Sequence, residues 1–168
     1  NCWKRVYKKP VGLYKKFRKE EHYQHFYSKE KLEVQKISQA ELDLILLVIL
    51  RNLKDLLKEP YIVRNLNEIA FQELKGLREG LFKDQIMVDE ATDFSALQLA
   101  CMQAMTNPLL NSFFACGDFN QRLTTQGIKD LVLLEWISPD LKIARINTVY
   151  RQGPKLNEFT HAILDLMD

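Results

Sequence analysis

Apolar positions recur along this chain with two different periods, and the change of period divides it. In residues 1–36, Trp3, Tyr7, Tyr14 and Phe17 stand at near-helical spacing, followed by Tyr23, Phe26 and Tyr27, with lysine and arginine in the gaps. Two readings fit: the core stripe of amphipathic helices whose basic face is solvated, or stacking platforms beside phosphate-binding lysines. Ser38-Gln39-Ala40-Glu41 has the form of a capping box, with Ser38 as N-cap and Glu41 at N3. Leu42, Ile45, Leu46, Ile49, Leu50, Leu53, Leu56 and Leu57 then mark one face of a long packing helix, which Pro60 ends. A second helix is predicted over 65–82, with Leu66, Ile69, Ala70, Phe71, Leu74 and Leu77 apolar and Gly80 near its end.

Past residue 82, short apolar runs alternate with helical patterns. Gln85 to Val88 reads as a buried strand, Ser112 to Cys116 and Leu141 to Ile146 read as strands, and 94–106, 126–137 and 153–167 read as helices. Strands alternating with helices of this length predict βαβ units and a parallel sheet, hence an α/β fold. The expected organisation is a mainly helical, basic and aromatic region over 1–82 and an α/β region over 83–168.

Composition narrows the class. With 168 residues, 46% apolar and 27% charged, the chain is long enough to bury a core and is not disordered throughout. The longest apolar run, Leu44 to Leu50, is bounded by Asp43 and Arg51 and falls far short of the ~20 residues of a membrane span. No apolar region of signal-peptide type follows the N-terminus, so no membrane association and an intracellular, cytoplasmic location are expected. Cys2, Cys101 and Cys116 contain no C-x-x-C, which disfavours a disulfide framework or zinc ribbon and makes Cys101 and Cys116 buried thiols by default. His22 and His25 stand three apart, but no further ligands are positioned to complete a zinc site. The net charge of +2 conceals an asymmetry: residues 1–36 carry 11 basic against 4 acidic side chains, and the remainder 13 against 18. A basic arm on a mildly acidic body points to a polyanionic partner, with Lys15, Lys16, Arg18 and Lys19 as candidate phosphate contacts.

Three segments carry candidate chemistry. In Ile86-Met87-Val88-Asp89-Glu90, an apolar strand delivers two carboxylates to its carboxyl end, where open α/β sheets bind ligands. There the first carboxylate can hold Mg²⁺ beside a nucleotide's phosphates and the second can orient and deprotonate a water. In Ala115-Cys116-Gly117-Asp118-Phe119-Asn120-Gln121-Arg122, Gly117 allows a tight strand exit, Asp118 can join the outer shell of the metal, and Gln121 can donate to a phosphate oxygen or to the lytic water. In Asn147-Thr148-Val149-Tyr150-Arg151, the Arg151 guanidinium can stabilise charge on a transferred phosphoryl group and Tyr150 can stack on a base.

The ordered set V-D-E-A-T-D, G-D-F-N-Q-R-L and I-N-T-V-Y-R resembles motifs II, III and IV of the UvrD/Rep group of superfamily 1 DNA helicases, over residues 85–164. The resemblance implies part of a RecA-like P-loop NTPase domain preceded by a helical region like subdomain 1B. It implies ATP and Mg²⁺ as cofactors and single-stranded or partly duplex DNA as partner. Asp89 would serve Mg²⁺ and Glu90 would be the catalytic base. Gln121 would couple the γ-phosphate to the nucleic acid, Arg151 would act as arginine finger, and Tyr150 would stack on the adenine. Thr92 stands where the family usually has Gln, Asn147 is displaced from its place before Tyr-Arg, and Leu123 to Gly127 lack the family's base-stacking aromatic.

No G-x-x-x-x-G-K-[ST] occurs: the glycines are scattered at 12, 76, 80, 117, 127 and 153. The chain is therefore read as a fragment of a helicase that does not hydrolyse ATP by itself and relies on the remaining helicase domains for its phosphate cradle. The alternative is a non-hydrolysing nucleic-acid-binding or interaction module on a degenerate scaffold of the same type. Without the P-loop strand, buried-type strands would present raw edges, and self-association through them is expected.

Overall fold

A computed structural model describes residues 4–20, 37–118, 132–138, 140–146 and 153–164. The N-terminal stretch forms two short helices, α1 (Arg5–Lys8) and α2 (Pro10–Phe17), the second opened by a proline at its first turn. Helix α3 (Gln39–Leu56) starts on the predicted capping box: Glu41 N–H donates to Ser38 Oγ at 3.3 Å, and Ser38 N–H to Glu41 Oε2 at 2.7 Å. Pro60 does not end α3, which closes at Leu56; it opens the next helix, α4 (Pro60–Asn65).

The single helix expected over 65–82 is instead broken into α4, a 3₁₀ turn at Ile69–Phe71, and α5 (Gln72–Leu81). The asparagines explain the interruption. Asn65 Nδ2 turns back onto the Tyr61 carbonyl at 2.8 Å, and short polar side chains bonding to nearby backbone favour turns over helix interiors. Ile69, read as part of the stripe, lies on this turn and is almost fully exposed.

Strands β1 (Gln85–Val88) and β2 (Ser112–Ala115) pair in parallel, with Ile86 opposite Phe113 and Val88 opposite Ala115. Helix α6 (Ala96–Ala104) connects them, as parallel strands require a crossover. A second capping box, Ser95 with Gln98, starts α6 two residues later than expected. Helices α7 (Val132–Ile137) and α8 (Pro154–Leu164) are the described parts of the helices predicted over 126–137 and 153–167. The described chain is thus mixed helix and strand with two parallel strands in one sheet, compatible with an α/β fold.

Residues 141–146, expected as a third strand, are not one. Their described backbone makes a turn bond from Leu141 N–H to the Ser138 carbonyl and pairs with neither β1 nor β2; Ile143 and Ile146 are exposed. An apolar run becomes a strand only where a neighbour accepts its backbone bonds. Gln85–Val88, expected as a buried strand, is covered on one face. Met87 and Phe114, opposite each other in register, are 68% and 51% exposed, whereas Val88 is buried. Among the described residues the covering elements lie on the Val88 side.

Two apolar clusters hold the chain together. One gathers Leu47, Leu50, Val88, Leu99, Ala100, Ala104 and Ile137, with Ile86, Phe113 and Ala115 packed against it. The other gathers Leu53, Leu57, Ile62, Leu66, Phe71, Leu74 and Phe82. Helix α3 contributes to both. Its buried face follows the predicted stripe at Ile45, Leu50, Leu53 and Leu57 and departs from it in the first half of the helix, where Leu47 is buried while Leu42 and Leu46 are more than two-fifths exposed. Polar tethers accompany the apolar contacts. Cys101 Sγ–H donates to the Asp43 carbonyl at 3.3 Å, and Lys54 points inward to α6. None of the described helices is long and apolar enough to cross a membrane.

Candidate functional site

The sequence ends β1 at Val88 by following it with Asp89-Glu90, two carboxylates that a buried strand cannot continue. The backbone turns sharply there. Glu90 adopts φ 49°, ψ 44°, a left-handed conformation that costs a non-glycine residue roughly 1–2 kcal/mol. A 3₁₀ turn, Ala91–Asp93, follows and leads into α6. Asp89 and Glu90 are both exposed, at the carboxyl end of the strand.

The loop after β2 is stitched to this turn. Cys116 N–H donates to the Val88 carbonyl at 2.9 Å, and Ala91 N–H donates to the Cys116 carbonyl at 2.8 Å. The Thr92 hydroxyl donates to the Asp118 carbonyl at 3.2 Å. Thr92 is buried and ties the two segments together from inside. Gly117 sits where a side chain would be crowded. A Cβ at this position would lie 3.0 Å from both Ala91 N and Thr92 N, and backbone atoms cannot swing aside as a side chain can.

Asp89 is held by two donors on one oxygen. Glu90 N–H reaches Oδ1 at 2.9 Å and the Cys116 thiol reaches it at 3.2 Å. In return the Asp89 carboxylate holds the Cys116 thiol above its ordinary pKa, because it accepts the thiol proton and repels a thiolate. Cys116, expected to be buried, is exposed; Cys101 is buried as expected, and burial pushes its thiol up to about 11. The Cys116–Asp89 contact was legible in principle. Parallel register puts the residues after two paired strand ends side by side, so Cys116 follows Ala115 as Asp89 follows Val88.

The structure therefore brings together Asp89, Glu90, Gly117 and Asp118. Gln121, Tyr150 and Arg151 lie outside the described residues, as do His22, His25 and Cys2. Among the described residues no group of three or more His, Cys, Asp or Glu side chains is placed to hold a metal ion. An all-protein cation cage is thus not formed by them. An exposed, oriented carboxylate does fit a Mg²⁺ that takes most of its ligands from water and phosphate oxygens. A surface cleft of about 280 Å³, lined by Arg78, Glu79, Phe82, Asp84 and Asn107, lies toward the opposite, amino-terminal end of the strands and takes no part in this arrangement.

The basic arm behaves differently from its sequence reading. Arg18 is buried and its Nε lies 3.2 Å from Glu41 Oε1; Tyr14 OH donates to the same oxygen at 3.0 Å. Burial alone would raise the Glu41 carboxyl, but bonds from Ser38 and Tyr14 and the Arg18 charge hold it below its usual value. Arg18 therefore anchors the arm to the start of α3 and is not displayed to a phosphate. Lys4 and Lys8 are engaged by Glu73 at 2.6 and 3.3 Å, and Tyr7 OH donates to the same carboxylate. These donors, Lys4 foremost, lower the Glu73 carboxyl to about 2. Lys15, Lys16 and Lys19 remain exposed.

No family model, no curated protein and no solved structure matches this chain.

Proposed function

We propose that the chain is a segment of an ATP-dependent DNA helicase of the UvrD/Rep type, carrying part of a RecA-like domain. One observation supports this reading above the others: the acidic turn after β1 and the G-D loop after β2 are joined by backbone bonds, and Gly117 fits their close approach, where a Cβ would be crowded. Two short segments that read as nucleotide-handling motifs meet at one strand end, where such sheets bind ligands. Asp89 would hold Mg²⁺ jointly with ATP phosphates, the cation supplying charge neutralisation at the transferred group. Glu90 would orient and deprotonate water, and Asp118 would support the metal's outer shell. Gln121, Arg151 and Tyr150 keep the γ-phosphate and adenine roles that the resemblance implies. Lys15, Lys16 and Lys19 would contact the backbone of single-stranded DNA.

The test is ATP hydrolysis stimulated by single-stranded DNA, measured on the complete reading frame. Glu90→Gln should lower kcat by about 10²-fold or more with little change in KM for ATP, as loss of a general base does. An unchanged kcat overturns the reading. Residues 1–168 alone should not turn over ATP above a Glu90→Ala control. A parent frame with no phosphate-binding loop would favour the non-hydrolysing module instead.

A further inference from the structure

The first two helices carry the chain's excess of positive charge. Residues 4–19 hold eight lysines and arginines and no aspartate or glutamate. The carboxylates that meet them come from other elements: Glu41 takes Arg18, and Glu73 takes Lys4 and Lys8. Along α1 and its two flanking residues the cations form two i, i+4 pairs. Lys4 and Lys8 share the one Glu73 carboxylate, with Nζ at 2.6 and 3.3 Å. Arg5 and Lys9 are exposed, and neither side chain meets a carboxylate among the described residues. The aromatic side chains between these cations are tied inward. Tyr7 packs against the cluster of Leu53 and Leu74 and gives its hydroxyl to Glu73. Tyr14 stacks on Phe17 at 6.3 Å and gives its hydroxyl to Glu41. Val11 and Leu13, exposed on α2, stand two apart and share no face, so they form no apolar stripe to enter a bilayer. Charge without ring faces fits the phosphates of an extended strand.

We infer that α1 is a second phosphate-contacting surface for single-stranded DNA, with Arg5 and Lys9 open and Lys4 and Lys8 covered by Glu73 until a phosphate replaces its carboxylate. This rests on the DNA-partner reading above. An exposed lysine–carboxylate pair contributes little to stability and weakens with salt. A nucleic-acid strand offers both lysines a phosphate and gains by releasing its own counterions. Contacts of this kind go to the backbone and carry no base preference.

The probe is fluorescein-labelled oligo(dT), bound to the 168-residue chain and followed by anisotropy over a series of salt concentrations. Arg5→Ala with Lys9→Ala should lower the slope of log affinity against log salt by about 1.4, at about 0.7 per phosphate contact. Should that variant not fold, Arg5→Gln with Lys9→Gln makes the same comparison. Glu73→Gln should tighten binding by about two- to fivefold, the weight of an exposed ion pair. The same substitution made together with Lys4→Ala and Lys8→Ala should lose that gain. An unchanged slope without Arg5 and Lys9, no gain in Glu73→Gln, or a gain that persists without Lys4 and Lys8 overturns the inference. So does a preference of about tenfold or more for oligo(dT) over an abasic strand, which base stacking would give. In each of these cases the unsubstituted chain still binds DNA and the partner reading stands. If the unsubstituted chain shows no salt-dependent binding to oligo(dT), or binds phosphatidylserine vesicles in its place, that reading falls together with the inference.

Discussion

Glu90 sits in a backbone conformation that few side chains tolerate, one position after the strand end. On the reading proposed above, a glutamate held there at a cost is kept for what its carboxylate does and not for stability. Glu90→Gly should therefore raise the midpoint of urea unfolding, by up to about 1 kcal/mol, while abolishing hydrolysis in the complete protein. A fall in stability would contradict the strain argument. Gly117→Ala should act in the opposite sense. Its Cβ would meet two backbone nitrogens at 3.0 Å, and an overpacked site of this kind costs about 1–3 kcal/mol, or roughly 2–4 °C in Tm per kcal/mol for a chain of this size. The sequence showed a glycine that allows a tight strand exit, because that freedom is local. It did not disclose that the crowding partners are Ala91 and Thr92, since that depends on the stitching of two loops 25 residues apart.

Helix α3 shows where elements are legible and where they are not. Its start could be read from Ser38 and Glu41 because a capping box closes on itself within four residues. The strands β1 and β2 were readable for a similar reason, as apolar runs bounded by turn signals. The burial of Leu47 in place of Leu46 was not, because the two are equally apolar and only the position of α6 decides which is buried. Lys54 was the least foreseeable member. It interrupts an apolar stripe, yet it is buried, donating to Thr106 Oγ1 at 2.6 Å, Asn111 Oδ1 at 2.7 Å and the Gln103 carbonyl at 3.3 Å. This ammonium caps the carboxyl end of α6 and fastens the turn that leads into β2. Burial pushes its pKa down to about 8 from 10.5. The folded form thus binds fewer protons than the unfolded one between those values, so Lys54 makes stability rise with pH across that window. Cys101, raised to about 11, and Tyr7, raised to about 12 mainly by burial and by Glu73, act in the opposite sense at higher pH. The contribution is isolated by comparing the parent with Lys54→Met in urea titrations from pH 7 to 10. The variant should be less stable by about 1–3 kcal/mol at neutral pH and should lack the upward slope. Parallel curves would refute the assignment.

For the molecule as a whole, the charge asymmetry of the sequence is partly spent internally. Lys4, Lys8 and Arg18 face Glu73 and Glu41, so the arm presents fewer cations than its composition suggests. Replacing Lys15, Lys16 and Lys19 together by alanine should reduce the slope of log affinity for single-stranded DNA against log salt by about 2, at about 0.7 per phosphate contact. Arg18→Ala should instead loosen the arm and lower Tm. Among the described residues, Met87 and Phe114 form an exposed apolar pair on the uncovered face of the β1–β2 pair. We expect the apparent mass by light scattering to rise with concentration and Phe114→Lys to suppress that rise; a constant mass in both would count against association through the sheet.

The membership of α3 in both apolar clusters has a consequence for how the chain comes apart. Neither cluster can melt while its share of that one helix stays formed against the other, so the described structure has no internal seam along which to divide. Intrinsic tryptophan fluorescence and far-ultraviolet ellipticity should therefore trace one coincident transition. Residues 83–168, expressed without α3, should remain a molten, dye-binding species.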